Sequence, residues 1–586
     1  MKKESLWSKL RLIVPKKERI HFLVLFFLIL IKTVLDFLGV SLILPLVNLL
    51  VNPVALERQS WYRAFSSLLP SMDRNGMMLV LVLTIMAVYI LKNLFAIYMS
   101  VVQNVFILRN QLATSARLLG SYMRKPYTFH LQHNTAEVVR AINTDVTNAY
   151  RLVSELISLM TSILITVLLI VYLVAVDLRL TVCFVLGLSI YSLVYFLLVR
   201  KKLKAVGQET RSLSTAMIKA IHQAVGGIKE VKLMGREQYF VDAYSTSADS
   251  LVKNYRLYTI LAGVPKHLVE ILCVCGVLGV VAFKIHARQD LSSIVGTLSA
   301  FAVASIRLLP SANTINANIN AISYRMPSLN AVCELLDESQ NEASPQPLLS
   351  EAERVLHRDS LRADIAVEHV SFTYPETDTP VLNDVSFNVR TGTSVGIVGT
   401  TGAGKTTLVD IILGLLTPQK GRILYGGKDI RSDYAQWQSR IGYIPQSIYL
   451  TDDSIRVNVA LGIHREEIND NQVWKALEQA QLADFVRGLK QGLDTVIGER
   501  GVRLSGGQQQ RIGIARALYH NPDVLFLDEA TSALDMDTER AVMEAVHKLS
   551  GEKTCIIITH RLSTIANCDE IYEVSGGHVR RKERPE

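Results

Sequence analysis

Paired cysteines are missing from this chain. It has six cysteines among 586 residues, and their spacing matches neither a disulfide framework nor the cysteine pairs of zinc sites. Internal repeats and low-complexity tracts are also absent. No small-residue cleavage site follows the first apolar segment at 20–50, as one would follow a secretory signal peptide. The sequence therefore excludes a small disulfide-stapled secreted domain, and we expect no disulfide and no structural metal.

Apolar residues are abundant and concentrated before residue 325. They make up 49 % of the chain, and the mean hydropathy is +0.26. A bilayer core about 30 Å thick needs about 20 apolar residues per helix. Six segments meet this length, namely 20–50, 76–104, 152–177, 179–200, 257–284 and 291–324. The sequence predicts a membrane protein with six transmembrane helices in a domain covering 1–337.

Lysine and arginine near the ends of these segments predict the orientation. They cluster before the first span, between spans two and three, and between spans four and five, while the other connections have few cations. By the positive-inside rule both termini face the cytoplasm, so we expect a multi-pass protein of the cell inner membrane. The net charge of +9 fits attraction to anionic membrane lipids, and nothing indicates a nucleic-acid partner.

A glycine-rich loop lies after the apolar run 394–398. It fits G-x-x-x-x-G-K-[ST], in which backbone N–H groups approach phosphate oxygens, the lysine reaches the terminal phosphates and a hydroxyl ligates Mg²⁺. Its residues are Gly399, Thr400, Thr401, Gly402, Ala403, Gly404, Lys405, Thr406 and Thr407. This motif predicts binding of a nucleotide with Mg²⁺.

Two acidic residues end a second apolar run, 524–527. The pair resembles a Walker B segment, which implies that Asp528 holds Mg²⁺ through water and that Glu529 is the general base on the attacking water. A further apolar run, 556–558, is followed by Thr559 and His560. Singly, each has a plainer reading: the acids as a helix N-terminus and the histidine as a surface residue. Their order and spacing favour an ATPase site.

The segment Leu504-Ser505-Gly506-Gly507-Gln508 lies about a hundred residues after the P-loop. It is the signature of ATP-binding-cassette (ABC) proteins, and the chain resembles that family throughout its C-terminal third. The resemblance implies that Tyr374 stacks on adenine, although it is also compatible with a core position. It further implies that Gln446 senses metal and γ-phosphate, that His560 contacts the γ-phosphate, and that 532–535 is the D-loop.

The resemblance also implies a second cassette. In the family each ATP lies between the P-loop of one chain and the signature of the other, so Ser505, Gly506, Gly507 and Gln508 act on a partner's nucleotide. We expect an identical second chain, ATP and Mg²⁺ as cofactors, and Thr406, Gln446 and Asp528 around the metal. An α/β P-loop nucleotide-binding domain is predicted for 361–586, after a polar linker at 338–360.

Six spans followed by one cassette resemble a half-transporter of the exporter type, and 495–501 resembles the X-loop of such exporters. The predicted fold is therefore an α-helical, exporter-type transmembrane domain followed by the nucleotide-binding domain. Two charged connections, 134–145 and 226–238, are expected to be coupling segments, although solvated amphipathic helices fit them too.

Ionisable residues inside spans are costly and mark function or a pair. Lys32 and Asp36 lie four residues apart, as do Lys266 and Glu270, so each pair is able to neutralise itself. Two other cations, Lys92 and Arg307, have no acid at helical spacing. They are expected either to snorkel, to meet an acid on another helix, or to bind an anionic headgroup.

The segments 307–313, 264–266 and 441–450 are similar to the PglK-type lipid-linked oligosaccharide flippases. That resemblance implies that Lys92, Lys266 and Arg307 engage a substrate pyrophosphate. It also implies that a helix at 58–69 holds a polyprenyl tail, although packing against the outer ends of the helix bundle fits that segment equally well. Two of the three basic residues are lysine where the resemblance leads us to expect arginine, which removes the bidentate fork.

The expected function is ATP-driven flipping of a polyprenyl-pyrophosphate-linked oligosaccharide to the outer leaflet. The alternative is export of another amphipathic cargo, such as a lipid A-like lipid, a hydrophobic peptide or a drug. A soluble ABC ATPase is disfavoured by the six spans, and an ATP-gated channel would reveal itself by conductance.

Overall fold

The computed structural model describes most of the chain. The described residues are 5–41, 74–176, 178–286, 291–341, 362–375, 377–529, 539–540, 551–559, 561, 565 and 568–583. The chain divides into two compact units. The first is Met1–Arg124 with His133–Ala343, and the second is Lys125–Gln132 with Ser344–Glu586.

The first unit is helical. Its helices are α1 (Leu6–Ile13), α2 (Arg19–Ser41), α3 (Arg74–Met123), α5 (Thr135–Arg140), α6 (Val146–Val176), α7 (Leu178–Gly226), α8 (Ile228–Met234), α9 (Glu237–His286) and α10 (Leu291–Asn341). A π-helical turn, Ala141–Asp145, joins α5 to α6. Because α10 continues to Asn341, the first residues of the predicted linker are helical. The rest of that linker, from 342, lies outside the described residues.

Four helices in the described part of the chain are long and apolar enough to cross a bilayer. They cover Arg19–Gly39, Val82–Met123, Thr135–Val174 and Glu237–Gly276. These correspond to the first, second, third and fifth predicted spans. Helices α7 and α10 cover the predicted spans 179–200 and 291–324, but neither is among the four. The count of six therefore stays a prediction.

Buried polar contacts fix the helix ends of this unit around the π-helical turn. Asp145, 1 % exposed, pairs with Arg211 Nε at 3.0 Å and with Arg140 Nε at 3.5 Å. An Arg140 N–H also donates to the Arg211 carbonyl oxygen at 3.3 Å. A buried carboxylate needs such partners, so the network joins the turn to α7.

Close packing of α7 against α10 depends on a glycine. A Cβ at Gly207 would lie 2.0 Å from the carbonyl oxygen of Tyr324. The missing side chain lets the two backbones approach, which is how small residues act between membrane helices.

The second unit contains two sheets. The six-stranded sheet has the order β10-β9-β3-β8-β7-β6, and the four-stranded antiparallel sheet has the order β2-β1-β4-β5. The strands are β1 (Ile365–Phe372), β2 (Leu382–Val389), β3 (Ser394–Val398), β4 (Lys420–Tyr425), β5 (Lys428–Asp429), β6 (Ile441–Ile444), β7 (Val524–Asp528), β8 (Thr554–Ile558), β9 (Glu570–Ser575) and β10 (His578–Lys582).

Strands β9, β3, β8, β7 and β6 run parallel and carry near-continuous apolar sequence, as strands covered on both faces do. Their carboxyl ends meet at one edge. The helices of this unit are α4 (Tyr127–Gln132), α11 (Lys405–Ile412), α12 (Tyr434–Arg440), α13 (Ile455–Val459), α14 (Asp470–Gln479), α15 (Ala483–Gly488) and α16 (Gly506–Tyr519). Helix α4 lies just before the predicted coupling segment 134–145.

Candidate nucleotide site

The P-loop lies where the sequence predicts it, between the fully buried strand β3 and helix α11. Gly404 precedes the first residue of α11 with φ +100°, a left-handed conformation that glycine adopts without strain. At Gly399 a Cβ would lie 2.3 Å from the carbonyl oxygen of Val574. The loop leads directly into the N-terminus of α11, and a helix N-terminus is a favourable site for phosphate.

Lys405 is held inside this loop. Its ammonium donates to the carbonyl oxygens of Gly399 at 2.9 Å and Thr400 at 3.0 Å. The positive charge is thus directed at the space that the loop encloses.

Tyr374 stands beside the same helix. Its ring packs edge-on against Phe372 with centroids 5.0 Å apart, and its hydroxyl lies 3.1 Å from Thr407 Oγ1. The tyrosine is only partly buried. Stacking on adenine stays a prediction.

Two of the three predicted catalytic side chains meet at the carboxyl end of β7. Gln446 Nε2 donates to Glu529 Oε2 at 2.6 Å, although the two residues are 83 positions apart. Glu529 has φ +45°, and its N–H donates to the Ile558 carbonyl oxygen on β8 at 2.9 Å. A glutamate in the left-handed backbone conformation is uncommon, and such strained conformations occur at functional sites more often than elsewhere.

Asp528 is half-buried next to that glutamate. The Tyr443 hydroxyl donates to its Oδ2 at 3.3 Å. Burial raises the pKa of Asp528, and the nearby Glu529 raises it further, while the Tyr443 hydrogen bond and the Lys405 charge act the other way. Because Lys405 offsets the effects of burial and Glu529 only in part, the Asp528 carboxylate is suited to bind a divalent cation.

Sequence reasoning missed two residues beside Asp528. Asp410, on α11, has its pKa raised to about 6 by burial and by the charge of Asp528. Tyr443 on β6 has its pKa raised by burial and then by Asp528 and Asp410, so it stays a hydrogen-bond donor. An aspartate among the apolar residues 408–412 of the P-loop helix was the available signal for Asp410.

Tyr127, on α4, belongs to the same compact unit. Burial raises its pKa, and the charges of Asp410 and Tyr374 raise it further. Its place next to the P-loop helix carried no sequence signal, because it is 283 positions from Asp410 (410 − 127).

The signature segment caps helix α16. Ser505 Oγ accepts from the Gln508 N–H at 3.3 Å, and Gln508 Oε1 accepts from the Ser505 N–H at 2.9 Å. This capping box fixes the start of the helix. Gly506 and Gly507 follow as its first residues, so their N–H groups point out of the helix N-terminus.

The donor set fits Mg²⁺. Within the described residues no three His, Cys, Asp or Glu side chains gather as a metal-binding cluster, whereas the predicted set is one hydroxyl, one amide and one carboxylate. Mg²⁺ is usually held by one or two carboxylates, phosphate oxygens and waters. Thr406 is the first threonine of α11. The predicted residues His560 and 532–535 lie outside the described residues.

The predicted substrate residues in the first unit differ in their surroundings. Lys92 on α3 is 5 % exposed and pairs with Asp36 on α2 at 3.6 Å. Asp36 is therefore the acid on another helix that the sequence allowed as a partner of Lys92. Among the ion pairs of the described residues, none joins Asp36 to Lys32. Lys266 and Glu270 are both exposed on α9. The side chain of Arg307 and the predicted helix 58–69 lie outside the described residues.

Two family models match this chain. Residues 382–532 match the model described as ABC transporter, and residues 22–306 match the ABC transporter transmembrane region. Among curated proteins, the ATP-dependent lipid A-core flippase of Cupriavidus metallidurans is 31 % identical over 79 % of this chain and 77 % of its own length. The flippase of the same name from Yersinia pestis is 28 % identical, over 79 % and 78 %.

A solved structure shares the fold. It is described as a bacterial Atm1-family ABC exporter with ATP bound, and it superposes with a TM-score of 0.78 over 97 % of this chain and 95 % of its own. The sequence identity is 23 %, so this likeness concerns the architecture alone.

Proposed function

This chain belongs to the ABC transporter family as an exporter half-transporter whose ATPase domain couples ATP hydrolysis to translocation, and we propose that it flips a phosphate-bearing glycolipid to the outer leaflet. The observation that carries the proposal is the buried, cationic Lys92 within an apolar helix. A basic group in an apolar segment is costly and marks either a function or a pair. Asp36 lies 3.6 Å from the ammonium, and the proposal assigns the remaining donors of Lys92 to an anionic headgroup.

In the proposed reaction Glu529 is the general base, and Gln446 orients it through their hydrogen bond. Mg²⁺ would be held by Thr406, Gln446 and Asp528, where it supplies charge neutralisation to the terminal phosphates. Lys405 and the N-terminus of α11 bind the phosphates, and Tyr374 the base. His560 is proposed to contact the γ-phosphate.

Two identical chains are proposed to form the working unit. Ser505, Gly506, Gly507 and Gln508 start a helix whose N-terminal dipole attracts anions. In one chain these residues and the P-loop are separate elements, and pairing with a second chain would place the signature on the partner's nucleotide. The site of action is the cell inner membrane, with the ATPase in the cytoplasm.

The cargo class has two candidates. The names of the curated relatives favour a lipid A-core lipid, whose phosphates would bind a cationic side chain.

 Lipid A carries its phosphates directly on sugars. The second candidate is the polyprenyl-pyrophosphate-linked oligosaccharide, which is favoured by the similarity of 264–266, 307–313 and 441–450 to the PglK-type flippases. Both cargoes join an anionic phosphate group to sugars and a long apolar tail.

The test is reconstitution of the full chain in proteoliposomes with fluorescent lipid A or fluorescent lipid-linked oligosaccharide. We expect ATP-dependent loss of accessibility from one leaflet for one of the two lipids, and none with the Glu529→Gln variant. An ATPase-active preparation that flips neither lipid would refute the proposed cargo class.

A further inference from the structure

Lys92 has an unusual environment for a buried lysine. Its side chain is 5 % exposed, and its ammonium lies 3.6 Å from Asp36 Oδ1 and 4.3 Å from the centre of the Tyr89 ring. The first distance is longer than a hydrogen bond, which ends near 3.2 Å for N–H···O contacts. Within the described chain Lys92 thus has a charge partner and a ring, but no hydrogen-bond acceptor.

Buried ammonium groups normally hydrogen-bond, because desolvation without a partner is expensive. A phosphate offers several acceptor oxygens and more negative charge than one carboxylate. Lys92 is therefore incompletely satisfied by Asp36 and has donors left for an anion.

Asp36 is the more accessible member of the pair. Its side chain is 24 % exposed, against 5 % for Lys92, so an incoming anion meets the carboxylate first. Because the pair has no direct hydrogen bond, the carboxylate is displaced at the cost of Coulomb attraction alone.

Gly39 sets the position of the ammonium. A Cβ on this α2 residue would lie 3.1 Å from Lys92 Cδ and 3.3 Å from its Nζ. The lysine consequently lies against the bare backbone of α2, three residues beyond Asp36, and any larger side chain at 39 would push it away.

We propose that Asp36 is a competing counter-ion on Lys92, so that this site admits phosphomonoester or pyrophosphate headgroups and rejects the singly charged phosphodiesters of bulk lipid. The reason is charge: a phosphodiester brings the same single charge as the carboxylate it must displace, while a phosphomonoester brings about 1.5 to 2. This proposed selection among headgroups rests on the proposed function, since it assumes an anionic lipid cargo.

The test measures equilibrium binding of radiolabelled farnesyl pyrophosphate to the full chain in phosphatidylcholine nanodiscs, with and without phosphatidylglycerol. In the wild type we expect binding that phosphatidylglycerol does not weaken. In Asp36→Asn we expect about tenfold tighter binding without phosphatidylglycerol, equivalent to about 1.4 kcal/mol, and clear competition when it is added. Unchanged affinity and unchanged competition in Asp36→Asn would overturn the proposal, as would a wild type that does not bind the probe.

Two further variants separate specificity from structure. Asp36→Lys combined with Lys92→Asp keeps an ion pair between α2 and α3 but moves the cation, so we expect wild-type thermal stability with farnesyl pyrophosphate binding lost. Wild-type binding by this swap would show that the pair is structural only. Lys32→Gln removes a charge from the same helix without touching Asp36, and it is expected to bind like the wild type.

Lipid A as a second probe identifies the source of the phosphate. Competition by lipid A that disappears in Lys92→Ala assigns the site to sugar phosphates as well as to pyrophosphate, and its absence restricts the site to pyrophosphate. Flipping is measured separately. The expected binding pattern without any flipping would refute the proposed function and support the proposed ion site. Flipping with unchanged binding and competition in Asp36→Asn would refute the ion site and support the proposed function.

Discussion

At the scale of single residues, the two neighbouring carboxylates at the end of β7 have different hydrogen-bond partners. Asp528 is hydrogen-bonded by Tyr443, and Glu529 by Gln446. Asp528 is the last residue of β7, whereas Glu529 follows it in a left-handed conformation with φ +45°, so the two acids reach different partners. This separation is compatible with the proposed roles, in which Asp528 holds the metal and Glu529 accepts the proton of the attacking water.

Replacing Glu529 by glutamine is expected to lower ATP turnover by about 10²- to 10⁴-fold, the usual contribution of a general base. The amide keeps an acceptor oxygen for Gln446, so ATP affinity is expected to remain. Turnover and nucleotide binding are measured on the same preparation. The control is Glu573→Gln, which alters only an exposed pair with Lys582; an equal loss of turnover in both variants would contradict the assignment.

Asp410→Asn is expected to stabilise the protein at high pH. The pKa of this carboxyl is raised from 3.8 to about 6 in the folded chain, so folding disfavours its charge. The cost is absent below pH 3.8, grows as the pH rises to 6, and is fully present above that.

The measurement is the thermal midpoint of the nucleotide-free and Mg²⁺-free protein at pH 8 and pH 4.5. Asp410→Asn should raise the midpoint at pH 8 and change it much less at pH 4.5. Asp484→Asn is the control, because its side chain is fully exposed. A larger gain at pH 4.5 than at pH 8 would refute the argument.

How far the sequence predicts such residues depends on how local their signal is. The P-loop and the Asp528-Glu529 pair were predictable because each stands at the carboxyl end of an apolar strand and has a fixed residue pattern. The partner of Lys92 was not, because Asp36 lies on another helix and helical spacing pointed to Lys32 instead. Only packing of α2 against α3 decides between those two lysines.

At the scale of elements, glycines determine how closely helices approach. Gly207 on α7 faces the carbonyl oxygen of Tyr324 on α10, whereas Gly187 on the same helix has no atom within 4 Å of where its Cβ would be. The two positions look alike in sequence, since both are single glycines in long helices. Long-range packing alone distinguishes them.

Gly207→Ala is expected to destabilise the first unit by about 1–3 kcal/mol or more, as overpacking does, because backbone atoms are unable to move aside as a flexible side chain does. Gly187→Ala should leave stability unchanged or improve it slightly through helix propensity. Thermal midpoints in one detergent compare the two variants. Equal midpoints would show that α7 and α10 do not approach each other this closely.

At the scale of the whole molecule, the proposed pairing of two chains predicts complementation. Lys405→Ala removes the phosphate-binding lysine of a chain's own P-loop, and Ser505→Arg spoils the signature that it would present to its partner. Each variant alone should be inactive. In a mixed pair one site has both defects and the other has neither.

Co-assembly of equal amounts should therefore restore about a quarter of the wild-type sites, because about half of the pairs are mixed and each holds one intact site of two. ATP turnover before and after mixing in detergent, followed by reconstitution, measures the recovery. Re-mixing Lys405→Ala with itself is the control. No recovery from mixing would mean that nucleotide sites are complete within one chain.

Residues 125–132 belong to the second compact unit, although more than two hundred residues of the first unit separate them in sequence from the rest of the second. During synthesis this short helix leaves the ribosome long before the strands it joins. The ATPase unit is therefore discontinuous in the gene, and a fragment that begins after the linker is missing one of its own helices. Expressing the two parts of the chain from separate genes divided at that linker would yield an ATPase that lacks Tyr127 beside Asp410. The surface next to the P-loop helix that this helix covers would then be exposed to solvent.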